Sequence, residues 1–126
     1  MASKTSKPIV VDRGTAGGKS YYVTDVTTLA DGSVKRETYR SDAKGIKQSK
    51  VQEVTVDKDG NLTDNVLSTA SVEEKRDLRN PNSQLRNGIR KQVESTADDL
   101  ADGNIDGTSK ETIQKAASGS GNEAIN

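Results

Sequence analysis

The constraint that most limits what this chain can fold into is its shortage of large apolar side chains. It has no Phe, Trp, Cys or His, and its aromatics are Tyr21, Tyr22 and Tyr39. Val, Leu and Ile number 11, 6 and 6 in 126 residues. Ordering a backbone costs about 1–2 kcal/mol per residue, and mid-sized aliphatics at this density fall in the range that marks poor self-sufficiency. The composition therefore points to a component of an assembly, ordered by its neighbours. Net charge is zero, but unevenly spread. Residues 1–50 carry ten basic and five acidic side chains, and residues 51–126 carry nine and fourteen. Such an asymmetry steers contacts between proteins, and neither half is basic enough to argue for nucleic acid.

Residues 1–19 read as an N-terminal arm. Ile9-Val10-Val11 is its apolar run, and Gly14, Gly17 and Gly18 break any regular element after it. Residues 20–67 read as two β-hairpins. In the first, Tyr21–Leu29 and Val34–Arg40 flank Asp31-Gly32, the strongest short-range hairpin signal. A two-residue turn there places Leu29 opposite Val34 and Thr24 opposite Tyr39. Residues 41–50 read as a loop. In the second hairpin Val51, Val54 and Val56 lead into Asp57–Asn61, and Leu62, Val66 and Leu67 follow. No internal repeat is evident.

Residues 68–117 read as a helical segment. Ser71-Val72-Glu73-Glu74 has the capping-box pattern, and the helix it opens stops before Asn80-Pro81. A longer helix begins near Asn82 or Ser83, with Leu85, Ile89, Val93, Ala97 and Leu100 at three- and four-residue intervals. That is a single narrow stripe, so the helical and β parts are expected to pack poorly on each other. A third short helix is expected over 109–117, and 118–126 reads as a linker-like tail. The fold class is α+β: a small antiparallel β-hairpin part, then short helices, with extended arms and little independent core.

The chemical inventory is thin. Without Cys or His the common nucleophile–base pairs are missing, and no cofactor is indicated; the chain reads as a non-enzyme. Gly17-Gly18-Lys19-Ser20 fails as a phosphate-binding loop, because Arg13 stands where the pattern needs glycine and a β run follows. Asp102, Asn104 and Asp106, followed by Gly107, match the first half of a calcium loop. The second half departs from it, since Ile113 occupies the place of the bidentate acid; inter-helix turns are the simpler account, and no metal is assigned. No apolar run approaches the roughly 18 residues of a membrane span. Arg86, Arg90 and Lys91 early in the long helix, with Asp98, Asp99 and Asp102 late in it, oppose the helix dipole. That order reads as a solvated face, or as two ends that meet an acidic and a basic partner.

Pro8-Ile9-Val10-Val11-Asp12-Arg13-Gly14-Thr15-Ala16-Gly17-Gly18-Lys19-Ser20-Tyr21-Tyr22, with the Asp-Gly hairpin after it, resembles the N-terminal part of structural proteins of contractile-tailed phages, especially those infecting cyanobacteria. Ser118–Asn126 is similar to a linker in such proteins. The resemblance implies a tail or baseplate component, placed in the virion and assembled in the host cytoplasm, and it carries over no site residues. The expected partners are other protein subunits, met through Ile9, Val10, Val11, Tyr21, Tyr22 and Tyr39, because tyrosine joins apolar area to a polar tip and an apolar run can add to a neighbouring sheet. The alternative is a small cytoplasmic adaptor or regulatory binding module, calcium-responsive if the loop at 102–107 binds an ion.

Overall fold

A computed structural model describes residues 7–102 and 114–116, with side chains as far as Glu94 and again at 114–116. Five strands, β1 (Ile9–Asp12), β2 (Lys19–Thr28), β3 (Val34–Ser41), β4 (Lys47–Val56) and β5 (Leu62–Val66), are followed by α1 (Val72–Arg79) and α2 (Gln84–Asp102). The strands form one antiparallel sheet in sequence order. The α+β expectation holds: hairpins first, helices second.

Three successive hairpin loops are built alike. In each, a glycine at φ near +90° (Gly32, Gly45, Gly60) closes a three-residue loop onto the strand that follows. This is the type I turn with a glycine bulge, whose twist matches the flanking strands. Asp42 and Asp57 reinforce it identically. Each carboxylate accepts the N–H groups two and four residues on, at 2.8–2.9 Å. The loop length corrects the expected register by one residue. Leu29 donates its N–H to the Ser33 carbonyl at 2.8 Å, so Thr28, not Leu29, faces Val34, and Val23, not Thr24, faces Tyr39. The shift brings Tyr22 opposite Arg40. The segment 41–50 is likewise not all loop: Lys47–Lys50 begin β4, and Val51 is an extra residue where the β3–β4 register shifts.

The helices cover one face of the sheet. Leu85, Ile89 and Val93 are fully buried against Ile9, Val11 and Tyr22, with Leu78 of α1 beside them. The expectation of poor packing between the two parts is therefore corrected. The stripe is narrow, but β1 and β2 present a matching strip of Ile9, Val11 and Tyr22. Ala116 is also buried in this core, and its carbonyl accepts Arg36 Nε–H at 2.7 Å. Gly88 makes the fit possible. A Cβ there would collide with Ile9 Cγ2 and lie 3.0 Å from Ile9 Cγ1.

Gly88→Ala is therefore expected to destabilise the chain by about 1–3 kcal/mol through overpacking, against its helix-propensity gain of up to about 1 kcal/mol. Urea denaturation measures this, and adding Ile9→Ala to the same chain recovers part of the loss.

Candidate functional site

Of the six residues expected at an interface, the fold uses three for itself. Ile9, Val11 and Tyr22 are buried in the chain's own core, because β1 pairs with β2 of the same chain, Ile9 facing Tyr22. The other three, Val10, Tyr21 and Tyr39, lie on the opposite, outer face, as strand alternation requires. Asp102 ends α2, whereas Asn104 and Asp106 lie outside the described residues. Among the described residues no group of three or more acidic side chains is placed to hold a metal ion, and no helix is long and apolar enough to cross a membrane.

The strongest concentration of polar interaction is beneath α1. Ser71 caps this helix by accepting the Glu74 N–H at 3.1 Å, and the Ser71 N–H donates in return to Glu74 Oε1 at 2.8 Å. The capping box drives the Glu74 carboxylate inward, where it is 4 % exposed. There Arg40 donates from Nη2 at 2.6 Å and from Nε at 3.0 Å, one bond to each oxygen, and the Tyr22 hydroxyl donates at 2.6 Å. Arg13, in the β1–β2 turn, donates to the same hydroxyl at 2.7 Å and to Asp77 at 2.8 Å. Five side chains from three elements and one turn thus close one network.

Burial alone would raise the Glu74 carboxyl, but the bonds from Arg40, Tyr22 and the Ser71 backbone outweigh it and hold the group down at about 2. Burial first, and then the bond to Glu74, push the Tyr22 phenol up to about 12. The pair is a fixed anion beside a fixed neutral donor. Neither is poised to exchange a proton near neutrality, which is what acid–base catalysis requires. The arrangement does mechanical work, tying α1 to β2, β3 and the first turn.

A shallow cleft of about 320 Å³ adjoins the network at the α1–α2 corner, lined by Arg13, Asp77, Asn80, Asn82, Ser83 and Gln84. Its polar groups also serve local structure. Ser83 caps α2 by accepting the Arg86 N–H at 3.0 Å and donates to the Asp77 carbonyl at 2.7 Å, and Gln84 accepts the Asp12 N–H at 2.8 Å. Arg86 is wholly buried and donates to the Leu78 carbonyl at 2.9 Å. It therefore does not belong to the solvated basic face expected at the start of α2.

The outer face of the sheet is different in kind. Asp25, Glu37 and Glu53 lie side by side across β2, β3 and β4, a row of like charges that would repel. Lys47 pairs with Asp25, and Lys50 bridges Glu37 at 2.8 Å and Glu53 at 3.2 Å. Lys47 also stands 5.1 Å over the Tyr39 ring. The β3–β4 loop leans over this face, since a Cβ at Gly45 would lie 3.5 Å from Pro8 Cγ and 3.7 Å from Val23 Cγ1. Val10 is 48 % exposed there. Sequence reasoning found Glu74 only as a cap. Its partners Arg13 and Arg40 are distant in sequence and carry no local signal of their role.

Removing the buried carboxylate should be severe. Glu74→Ala is expected to cost about 3–5 kcal/mol, because it strands Arg40 and the Tyr22 hydroxyl. The Glu74 carboxyl titrates lower in the fold than its ordinary 4.5. Its stabilisation is thus complete above pH 4.5 and is lost as pH falls towards 2. Chemical denaturation across that window should show the loss in the native chain and a flatter profile in Glu74→Gln.

The chain matches no protein-family model, no curated protein and no solved structure.

Proposed function

We propose that the chain is a non-enzymatic structural subunit of a multi-chain assembly, and that the outer face of its sheet is the surface that docks. The observation that carries this reading is the pairing of an inert interior with an apolar outer patch. The polar side chains under α1 are held in bonds that build the fold, while Val10, Tyr21 and Tyr39 remain on the uncovered side. Partly exposed tyrosines near an exposed valine suit an interface, where aromatic area and a polar tip both find partners. The resemblance of residues 8–22 to structural proteins of contractile-tailed phages makes a virion tail or baseplate the assembly of choice. Because the core is closed, the chain would enter it as a folded unit.

That closed core also favours a second reading, a self-sufficient adaptor module in a cell. The two differ in the stoichiometry of the partner: a particle holds many copies in fixed ratio, whereas an adaptor exchanges.

The test is Val10→Asp. Exposed substitutions of this kind usually change stability by no more than about 0.5 kcal/mol each. The thermal midpoint should therefore stay nearly unchanged, while the variant no longer sediments with the particle that retains the native chain. Native chain that sediments alone in extracts of its source would defeat the assembly reading.

A further inference from the structure

By composition α1 is neutral: Glu73, Glu74 and Asp77 balance Lys75, Arg76 and Arg79. The fold sorts these charges. Glu74 is buried and paired with Arg40, and Asp77 is paired with Arg13 at 2.8 Å. The sheet and the first turn thus neutralise two of the three acids from below. Lys75, Arg76 and Arg79 are all left exposed. With successive residues about 100° apart on a helix, Val72, Lys75, Arg76 and Arg79 stand at i, i+3, i+4 and i+7. They form one stripe, on the side of α1 opposite the buried Glu74 and Leu78.

Among the described residues the side chains of Lys75, Arg76 and Arg79 form no ion pair. Arg76 and Arg79 complement the negative end of the helix dipole. That accounts for two cations in the last turn. It accounts neither for Lys75 nor for Val72, which is 71 % exposed at the head of the stripe. Arg90 of α2, bonded to the Pro81 carbonyl at 2.9 Å, adds a further cation just past the end of α1. The stretches 1–6, 103–113 and 117–126 hold three acids between them, Asp106, Glu111 and Glu123, and no two of these are one helical turn apart. None of these stretches can therefore meet the stripe with carboxylates at matching intervals.

We propose that this stripe docks an acidic helix of a partner protein. Charge complementarity names the occupant, and the interval of the cations gives its form. The stripe rises about 10 Å along α1, and residues at i, i+3, i+4 and i+7 of a second helix repeat at the same interval. The partner runs antiparallel to α1, so its acid-rich N-terminal turn lies beside Arg76 and Arg79, where both helix dipoles favour the pairs. Its carboxylates at i, i+3 and i+4 meet Arg79, Arg76 and Lys75, and an apolar side chain at i+7 covers Val72. Val72 and the exposed Glu73 beside the stripe suit a protein partner and are out of place against a phosphate backbone. The stripe lies on the helical layer, away from the outer face of the sheet, and is independent of that face.

The probe is a capped, alanine-based helical peptide of about 18 residues, with glutamates at i, i+3 and i+4 and leucine at i+7. Titrated into the isotopically labelled chain at low salt, it should shift the amides of α1 saturably and leave those of β4 and β5 in place. Replacing its glutamates by glutamine should weaken binding about tenfold, and so should Lys75→Gln combined with Arg76→Gln and Arg79→Gln in the chain. Val72→Ala should weaken it about threefold. A role confined to the helix dipole would lower the stability of the triple variant and leave its affinity for the peptide unchanged. The proposal is overturned by that result, by equal binding of the glutamate and glutamine peptides, or by α1 amides that do not respond. It is also overturned if a DNA duplex shifts the α1 amides at a lower concentration than the peptide does. The comparison of the two peptides needs no variant of the chain, so it decides even where the triple variant does not fold.

Discussion

The fold depends on a buried carboxylate. Glu74 sits between the first helix and the second and third strands. A charge taken out of water is costly unless its partners are complete. Here Arg40, Tyr22 and the Ser71 N–H supply them, and Arg13 with Asp77 extends the set to the first turn. The same economy appears across the sheet, where Arg36 donates to Thr38, Gln52 and the Ala116 carbonyl. Polar networks of this kind define geometry more sharply than mid-sized aliphatics alone, because each bond tolerates little displacement. A composition that reads as core-poor thus still encloses a core.

Fixing α1 also fixes where α2 begins, since Ser83 bonds the Asp77 carbonyl before it caps the second helix. From that origin α2 crosses β1 at Gly88 and reaches the edge of β2 with Gln92. Both helices are thereby committed to one face. The outer face is left with neutralised charges and the exposed Val10, and among the described residues the outward backbone groups of β2 past Thr24 meet no partner. The outer face is the surface on which the proposed assembly reading rests.

Much of the architecture was legible in sequence because its signals are local. Asp31-Gly32 marked the first hairpin, Ser71 and Glu74 marked the start of α1, and the spacing of Leu85, Ile89 and Val93 marked the buried side of α2. The hairpin register was missed by one residue because Asp-Gly fits both a two-residue turn and a three-residue loop. The backbone bonds Leu29 N–H to Ser33 and Gly32 N–H to Leu29 distinguish them. The β1 run looked free because its partner strand lies across a glycine-rich turn. Ile9 and Val11 gain more from the stripe of α2 than an extended arm would offer. The polar half of the core was not legible at all. Arg13, Arg40 and Glu74 come together only once three separate elements are placed, and nothing near Arg36 in the sequence announces a carbonyl partner at Ala116.

The central claim is that sheet and helices form one cooperative unit held by the buried network. Native-state hydrogen exchange on the isolated chain tests it most directly. Amides of Ile89 and Val93 in α2 should open with the same free energy, and the same denaturant dependence, as amides of Val23 and Val54 in the sheet. If α2 exchanges through a separate, much less costly opening while the sheet stays protected, the helices are not part of that unit and the account is contradicted.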